Sequence, residues 1–568
     1  MTTVRDLFSI KALPIGSLNR VRPRLVSSVN NLVDEEALKT NFDLIIIGGG
    51  INGSGIARDA SERGLKVLLL EKDDFGSGCT SASTRLIHGG LRYLEHFEIS
   101  LVREALRERE ILLKNAKHLV KGLEFDIPIY KRDKNGLLKM WLGMVVYDLL
   151  SFDKSLPNHT FFRKESFIKH ESSLENKDLL GGVTYYDAQV DYPERLCIEN
   201  ILMAVNNGAV VLNHSELVSV NKKSNAINEL TFENKLTGKS YKVKGKVVIN
   251  ASGPWIDELC NLTNSGIPRK MGGTKGSHIV VRRFDEGPKN AIYMSAKSDG
   301  RQFFVVPWRE YFLIGTTDIK FDGDLDRVVA DEEEIRYLIN ETNNFLKHKI
   351  SKKDVLYHMS GVRPLPYSES VDAGAISRRH FVIDHGKEGL DNLISAYGKL
   401  TTYRSLAEET VDLSLKKLGK PKINSITASV PFLRSPSIDI EKYKDSCRKL
   451  LQKEFGIDPK ITEHLINLYG TDFIDIVQMS VADGDLSSSL SLPAKDIKAQ
   501  VGYAIENEMG LTIEDILLRR TSLGLSEGLG EGAIPYVAAA LKNKFRYSDL
   551  EISRQEKQYA DRILYKKR

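Results

Sequence analysis

Three kinds of feature are scarce in this sequence: cysteine, long apolar runs and an excess of charge of one sign. The four cysteines, Cys79, Cys197, Cys260 and Cys447, form no C-x-x-C pair, so we expect neither a metal site nor a disulfide framework. No stretch reaches ~18 consecutive apolar residues, so the sequence predicts no transmembrane helix. The net charge of +5 over 568 residues is too small to indicate a nucleic-acid-binding protein.

The N-terminal segment also lacks the apolar core of a secretory signal. Within residues 1–30 the only acidic side chain is Asp6, whereas the basic ones are Arg5, Lys11, Arg20, Arg22 and Arg24. Such a composition is typical of an organellar transit peptide or, more often, of a flexible extension. We therefore treat residues 1–40 as an N-terminal extension.

The remaining chain has an ordinary globular composition, with 41% hydrophobic and 28% charged residues, and is too long for one compact core. After about residue 430 the β-branched runs become rare, and Pro431 and Pro436 lie near this change. We predict a folded part over residues 41–430 and a separate helical domain over residues 431–568. The helices predicted in that domain are 441–455, 460–469, 498–509 and 511–520.

The first folded element predicted is a β-α-β unit. Residues 43–47 form a short apolar run typical of a buried parallel strand. Three glycines follow, then a helix over 51–63 and a second buried strand over 66–70, closed by Glu71. About 30 residues of this pattern are what a βαβ unit requires.

The glycines of this unit form the spacing G-x-G-x-x-G with Gly48, Gly50 and Gly53. After a strand and before a helix, this pattern indicates a dinucleotide-binding turn that offers a helix N-terminus to phosphates. Glu71 is placed to accept hydrogen bonds from a ribose diol. Because no second fingerprint is present, the pattern favours one tightly held flavin, which the backbone at Ala251 and Gly253 would also approach.

The middle of the chain predicts a β-rich domain interleaved with the dinucleotide-binding domain. Strand-like runs include 246–250, 276–281, 301–307 and 311–315, the last two joined as a hairpin. An amphipathic helix is predicted over 97–121. The fold class is therefore α/β, a Rossmann-type FAD-binding domain interleaved with a β-rich substrate domain and followed by an α-helical domain.

Five segments carry a resemblance to one family. They are Ile47–Asp59 with Arg63-Gly64, Ser81–Glu95, Lys275–His278, Ser360–Leu365 and Tyr397–Arg404. Together they resemble the signatures of FAD-dependent glycerol-3-phosphate dehydrogenases of the membrane-associated, respiratory type. Two positions depart from that pattern: Tyr397 stands where the family has glycine, and Arg85 where it often has lysine.

The resemblance implies an FAD cofactor and sn-glycerol 3-phosphate as the substrate, whose hydride would pass to the flavin N5. The implied catalytic residues are Arg363 and, as alternative bases that the sequence does not rank, His88 and His278. The implied substrate-binding residues are Arg92, Tyr93, Arg363, Arg378 and Lys399. The implied cofactor-binding residues are Gly48, Gly50, Gly53, Glu71, Thr80, Ser81, Arg85, Ala251, Gly253, Gly398, Lys399, Leu400 and Thr401. We interpret Cys79, which lies in the loop near the flavin, as a packing residue.

The electron acceptor implied by the resemblance is a membrane quinone, reached from the cytoplasmic face of the cell membrane or, alternatively, from a mitochondrial inner membrane. The apolar stretch 141–147 is too short to span a bilayer and is either an interfacial segment or a core helix. Residues 542–568 hold nine Lys/Arg and four Asp/Glu, net 9 − 4 = +5, which fits lipid binding or a solvated helix end. The oligomeric state is left open, a homodimer included.

Three other functions remain as alternatives. The nearest is a glycerol-3-phosphate oxidase that uses oxygen and releases peroxide, which the motifs do not separate from a dehydrogenase. A flavin enzyme for an amino acid or a 2-hydroxy acid would need fewer cations than the cluster of Arg92, Arg363, Arg378 and Lys399 provides. A flavin-dependent RNA-modifying protein would need a broad basic face, which the balanced charge disfavours.

Overall fold

The computed structural model describes residues 4–10, 32–133, 135–368, 378–490 and 495–567. Two large sheets form the α/β part of the molecule, and helices form its C-terminal part. This arrangement confirms the predicted fold class. The domain boundaries at residues 40 and 430 stay predictions.

The first sheet contains the dinucleotide-binding unit. Its strands, in spatial order, are Phe381–Asp384, Leu393–Tyr397, Gly245–Asn250, Phe42–Ile47, Val67–Leu70 and Val210–Leu212. All neighbouring pairs are parallel except the first. The central strands are fully buried because helices cover the sheet, and their Val, Leu and Ile side chains are typical of such strands. The covering helices are Ile51–Glu62, Pro193–Asn206 and Tyr403–Lys417.

The second sheet belongs to the β-rich part. Its spatial order is Ile319–Lys320, Thr274–Arg282, Tyr311–Gly315, Gln302–Trp308, Ala291–Ser295, Val120–Tyr130, Leu179–Val190 and Leu86–Ile87. Val355–Arg363 also pairs with Thr274–Arg282, and Thr160–Arg163 with Leu179–Val190. The predicted hairpin is confirmed, with Trp308 opposite Tyr311. A smaller sheet joins Ser215–Lys223, Ala226–Asn234 and Lys239–Val243.

The helices of the α/β part surround these sheets. Besides the covering helices already named, they include Glu35–Leu38, Ile99–Asn115, Leu137–Leu150, Lys164–His170, Ile256–Leu262 and Glu332–Asn343. The helix predicted over 97–121 is too long, because it ends at Asn115 and Val120 already opens the strand Val120–Tyr130. Leu119 and Val120 are both buried. A run of buried apolar residues continues the helical spacing by chance, so periodicity alone could not locate this boundary.

The C-terminal part is helical, as predicted. Its helices are Ile440–Phe455, Pro459–Tyr469, Phe473–Ala482, Ala499–Asn507, Ile513–Asp515, the π-helical turn Ile516–Arg520, Ile534–Phe545 and Asp549–Lys567. None of the helices in the described parts of the chain is long and apolar enough to cross a membrane.

The N-terminal residues differ from the prediction of a flexible extension. Val4–Ile10 forms a helix whose Phe8 side chain is buried and meets Phe473 edge-on, with 5.9 Å between ring centroids. Arg5 pairs with Asp475 on the same C-terminal helix. Val4 and Phe8 are four residues apart and so share one helix face, which explains the docking. The transit-peptide interpretation concerns residues 1–30, of which residues 1–3 and 11–30 lie outside the described residues.

Candidate active site

The glycine turn has the close backbone contacts that its spacing predicts. Gly48 has φ +106°, and a Cβ there would lie 2.6 Å from the carbonyl oxygen of Ala251. A Cβ on Gly53 would lie 1.9 Å from the carbonyl oxygen of Gly48, so Gly53 lets the helix pack against the turn. The helix Ile51–Glu62 begins after Gly50 without a side-chain cap. Its first turn therefore presents N–H groups and the positive end of the helix dipole to an anion.

Glu71 lies at the end of the second strand and lines the cleft above the turn. Its carboxylate accepts hydrogen bonds from the backbone N–H of Gly49, at 2.6 Å, and of Asp73, at 2.9 Å. Burial, reinforced by the charge of Asp73, raises the pKa of Glu71 to about 7. The carboxylate oxygens keep lone pairs that a ribose diol can use.

A cleft of about 380 Å³ extends from the glycine turn to the face of the second sheet. Most of the residues predicted for cofactor and substrate line it. They are Gly48, Gly50, Glu71, Thr80, His88, Tyr93, Ala251, Gly253, His278, Arg363, Arg378, Gly398, Lys399, Leu400 and Thr401. The structure thus brings together motifs that are more than 300 residues apart in the sequence.

Four of the predicted site residues do not line the cleft: Gly53, Ser81, Arg85 and Arg92. Gly53 lies beneath the turn, and the Ser81 hydroxyl donates to the carbonyl oxygens of Ser77 and Gly78. Sequence motifs place such residues next to the site, but neighbours in a tight loop point to different sides.

The prediction that Arg85 binds the cofactor is corrected by the structure. Its fully buried guanidinium donates to both carboxylate oxygens of Glu194, at 2.8 and 3.0 Å, and stacks over the ring of Trp308. A further N–H donates to the carbonyl oxygen of Asp191 at 2.8 Å. The pair with Glu194 joins the segment that holds Arg85 to the helix Pro193–Asn206, so Arg85 acts as a structural residue.

The cleft fits a flavin dinucleotide. Three buried polar atoms that have no hydrogen-bond partner among the described residues belong to side chains lining it: Asn52 Oδ1, Trp255 Nε1 and His278 Nδ1. Buried polar atoms are rarely left unpaired in folded proteins. Together with the close approach that Gly48 and Gly53 permit, they indicate that a polar ligand completes this cleft.

Both candidate bases are neutral at physiological pH. Burial, with Arg363 and Arg85 nearby, lowers the pKa of His278 to about 3, and its Nε2 lies 2.9 Å from the Thr84 hydroxyl. Burial and the charge of Lys399 also lower the pKa of His88, against the opposite influence of Asp187. The His88 ring meets Phe304 edge-on. Because no described side chain hydrogen-bonds to that ring, it is the freer of the two imidazoles.

The cations of the cleft come from three segments: the strand Val355–Arg363, the residues before the strand Phe381–Asp384 and the turn after the strand Leu393–Tyr397. Arg363 ends the strand Val355–Arg363, and its guanidinium passes over Gly276, where a Cβ would come within 2.2 Å of Nη2. Arg378 pairs with Asp318 at 3.0 Å. The Lys399 ammonium lies 3.8 Å from the centroid of the Tyr93 ring, and burial lowers its pKa. Arg379, which the sequence could not separate from its neighbour, also lines the cleft.

Tyr397, which replaces a family glycine, does not reshape the loop beside Lys399. It is the last residue of the strand Leu393–Tyr397, its φ is not positive, and its ring stacks on Phe381 at 5.2 Å. For Cys79, burial raises the pKa of its thiol to about 12, and Sγ donates to the carbonyl oxygen of Val362 at 2.6 Å. Both observations agree with packing roles.

Several lining residues were not among the predicted site residues. Asn52 and Thr84 lie inside motif segments that did not single them out, and Trp255 lies just after Gly253. Asp318, which contacts the arginines of the cleft, was missed as well. It follows the strand Tyr311–Gly315 by three residues, and only the pairing of that strand with Thr274–Arg282 brings it beside Arg363.

A parallel sheet with this glycine turn, facing a second sheet with two neutral histidines and several cations, defines a dinucleotide-dependent oxidoreductase. Residues 43–404 match the family model described as FAD dependent oxidoreductase. Residues 437–552 match the model described as the C-terminal domain of alpha-glycerophosphate oxidase.

The chain is 42% identical to a glycerol-3-phosphate dehydrogenase of Synechocystis, over 92% of this chain and 96% of that protein. It is 36% identical to the aerobic glycerol-3-phosphate dehydrogenase of Escherichia coli, over 85% and 94%. The solved structure of the Bacillus halodurans glycerol-3-phosphate dehydrogenase, complexed with FAD, has a TM-score of 0.77 at 26% identity and covers 94% of this chain and 96% of its own. The chain therefore belongs to the FAD-dependent oxidoreductases and, among them, to the glycerol-3-phosphate dehydrogenases. The predictions of the family, of FAD and of the enzyme class are confirmed.

Proposed function

We propose that this enzyme oxidises sn-glycerol 3-phosphate to dihydroxyacetone phosphate and passes the electrons to a membrane quinone. The observation that carries the proposal is the convergence of the neutral His88 with Arg363, Arg378 and Lys399 in the cleft of the glycine turn. A secondary alcohol needs a group that takes its proton. A phosphate dianion needs several charged donors, of which arginine is the best suited.

In the proposed site, Arg363 and Arg378 bind the phosphate and His88 takes the proton of the substrate hydroxyl. Lys399 and Tyr93 lie in contact at the same cleft and orient the glycerol moiety. Bound FAD would supply the hydride acceptor. His278 is hydrogen-bonded to Thr84. It therefore forms part of the wall of the cleft and does not take the proton.

The proposal is tested on the purified yellow holoenzyme under anaerobic conditions. We expect glycerol 3-phosphate to bleach the flavin absorbance, and a soluble quinone to restore it faster than air does. Bleaching by an amino acid or a 2-hydroxy acid, with none by glycerol 3-phosphate, would overturn the substrate assignment.

A second candidate, an oxidase that reduces oxygen to peroxide, draws support from the C-terminal match to a domain named after alpha-glycerophosphate oxidase. The same experiment separates the two candidates. Reoxidation by air as fast as by quinone, with one peroxide per substrate, would identify the oxidase.

A membrane surface is the proposed source of the quinone. The apolar patch, as we name it, consists of the exposed side chains Phe97, Leu138, Trp141, Leu142, Leu149 and Phe152. Only Met144 and Tyr147 of the helix Leu137–Leu150 are buried. Lys131, Arg132 and Lys139 are also exposed beside it, and an apolar face flanked by basic residues fits an anionic lipid surface.

The apolar patch also lies close to the chemistry. The Tyr147 hydroxyl accepts a hydrogen bond from the N–H of Gly89, next to His88, at 3.1 Å. A bilayer on this side would bring a lipid-borne quinone near the cleft, and we propose the cytoplasmic face of the cell membrane as the location. The basic residues of 542–568 contribute less, because Lys542, Arg562 and Lys567 pair with acidic residues of the same chain.

A further inference from the structure

The two arginines proposed to bind phosphate share one carboxylate. Asp318 Oδ1 accepts from Arg363 Nη1 at 3.0 Å, and Asp318 Oδ2 accepts from Arg378 Nη2 at 3.0 Å. We propose that Asp318 is a positioning residue that orients Arg363 and Arg378 toward the phosphate of the substrate. This inference rests on the proposed function and assigns a residue that itself does not touch the reacting atoms.

Arg363 is anchored from several sides. Besides Asp318, its guanidinium donates to the hydroxyls of Thr274 and Thr316 and to the carbonyl oxygen of Thr317. These acceptors lie on one strand and on the turn after Gly315. Together with Asp318 they take up the N–H groups of both terminal nitrogens and fix the plane of the guanidinium, so that the remaining Nε–H donor has a defined direction.

Arg378 depends on Asp318 far more strongly. The bond to Asp318 is the one hydrogen bond that its side chain makes within the described residues. Residues 378–380 precede the strand Phe381–Asp384, in a segment without regular structure. Without the carboxylate, nothing in the described part of the chain would hold this guanidinium beside Arg363.

The charges explain why a carboxylate stands between the arginines. Burial lowers the pKa of Arg363, and the positive charge of Arg378 nearby lowers it further. Against the effect of burial, the same two arginines lower the pKa of Asp318, which is therefore ionised. One negative charge thus offsets their repulsion and leaves a net positive pair for a phosphate dianion.

The test is the isosteric substitution Asp318→Asn in the holoenzyme. Hydrogen bonds to charged groups contribute enough that we expect KM for glycerol 3-phosphate to rise by about 10- to 100-fold, with a much smaller change in kcat. Titration calorimetry should show inorganic phosphate binding weakened by a similar factor. Flavin reduction by glycerol, which lacks the phosphate, should be unchanged.

Asp322→Asn is the matched control, because Asp322 lies four residues on, is exposed and pairs with Arg269 instead. It should leave KM and phosphate affinity unchanged. Unchanged KM and phosphate affinity in Asp318→Asn would overturn the inference. Tighter phosphate binding would overturn it too, since Asp318 would then compete with the substrate, and an equal loss with glycerol would show a merely structural role. If the wild-type enzyme itself is not reduced by glycerol 3-phosphate, the proposed function fails instead.

Discussion

At the scale of single residues, the clearest choice is between the two histidines. The ring of His88 is free of hydrogen bonds to described residues, whereas His278 Nε2 is occupied by Thr84. We predict that His88→Gln lowers kcat by about 10²- to 10⁴-fold, the usual contribution of a general base. The measurement is the rate of anaerobic flavin reduction at saturating glycerol 3-phosphate. His278→Gln, the comparison variant, should lose less, and the opposite order would identify His278 as the base.

The same residue sets a pH dependence. Burial and Lys399 lower the pKa of His88 below the ordinary value of about 6.5, and only the neutral imidazole can take a proton. We therefore predict that kcat/KM is constant near neutral pH and falls as the pH drops below about 6.5, through that lowered pKa. A profile of kcat/KM against pH measures this. The fall at acidic pH, the acidic limb of the profile, should be absent from the residual activity of His88→Gln. An unchanged limb in that variant would contradict the prediction.

Residues that belong to a motif could be predicted from the sequence, and residues placed by tertiary pairing could not. His88, Arg363 and Lys399 lie in segments that match signatures of the family, so the resemblance predicted that they share one cleft. Asp318 has no motif of its own and reaches Arg363 only through the register of neighbouring strands. Arg85 shows the opposite case. It lies in a motif and was predicted to bind the cofactor, but its guanidinium is buried in an ion pair with Glu194.

At the scale of secondary-structure elements, the helix Leu137–Leu150 carries most of the apolar patch through which we propose that the enzyme binds a membrane. Leu138 and Leu142 are 78% and 57% exposed. We predict that the double substitution Leu138→Glu and Leu142→Glu lowers binding to anionic vesicles by at least about tenfold, because each leucine loses its apolar burial in the lipid. Vesicle co-sedimentation measures this. Turnover with a lipid-borne quinone should fall in parallel, and turnover with a soluble quinone should not.

Leu550→Glu provides the control for that experiment. Leu550 is 81% exposed but lies on the last helix, outside the apolar patch. Equal losses in both variants would contradict the assignment of the patch. The sequence left this helix undecided between core and interface, because apolar composition is the same in both cases. Only the packing, which buries Met144 and Tyr147 and leaves the other face exposed, distinguishes them.

At the scale of the whole molecule, buried ion pairs join the loop after Glu71, which carries Asp74, to the C-terminal helices. Asp74, three residues after Glu71, accepts from Arg520 Nη1 and Nη2 at 2.7 and 2.8 Å and also pairs with Arg519. Arg195 pairs with Glu508 across the same boundary. Partners 446 positions apart leave no local signal in the sequence, so these contacts across the predicted domain boundary could not be predicted from it.

This boundary gives the last prediction. Against the effect of burial, Arg520 and Arg519 lower the pKa of Asp74, so its stabilisation is present above the unfolded pKa of about 4 and is lost as the pH falls below it. Asp74→Asn would leave two buried guanidinium groups short of a counter-charge, which typically costs about 3–5 kcal/mol. We expect a clearly lower melting temperature of the holoenzyme and easier release of the flavin at neutral pH. Asp326→Asn, whose exposed pair with Lys72 contributes about 0–1 kcal/mol, is the control. If Asp74→Asn changed the melting temperature no more than the control does, the C-terminal helices would not support the loop that carries Asp74.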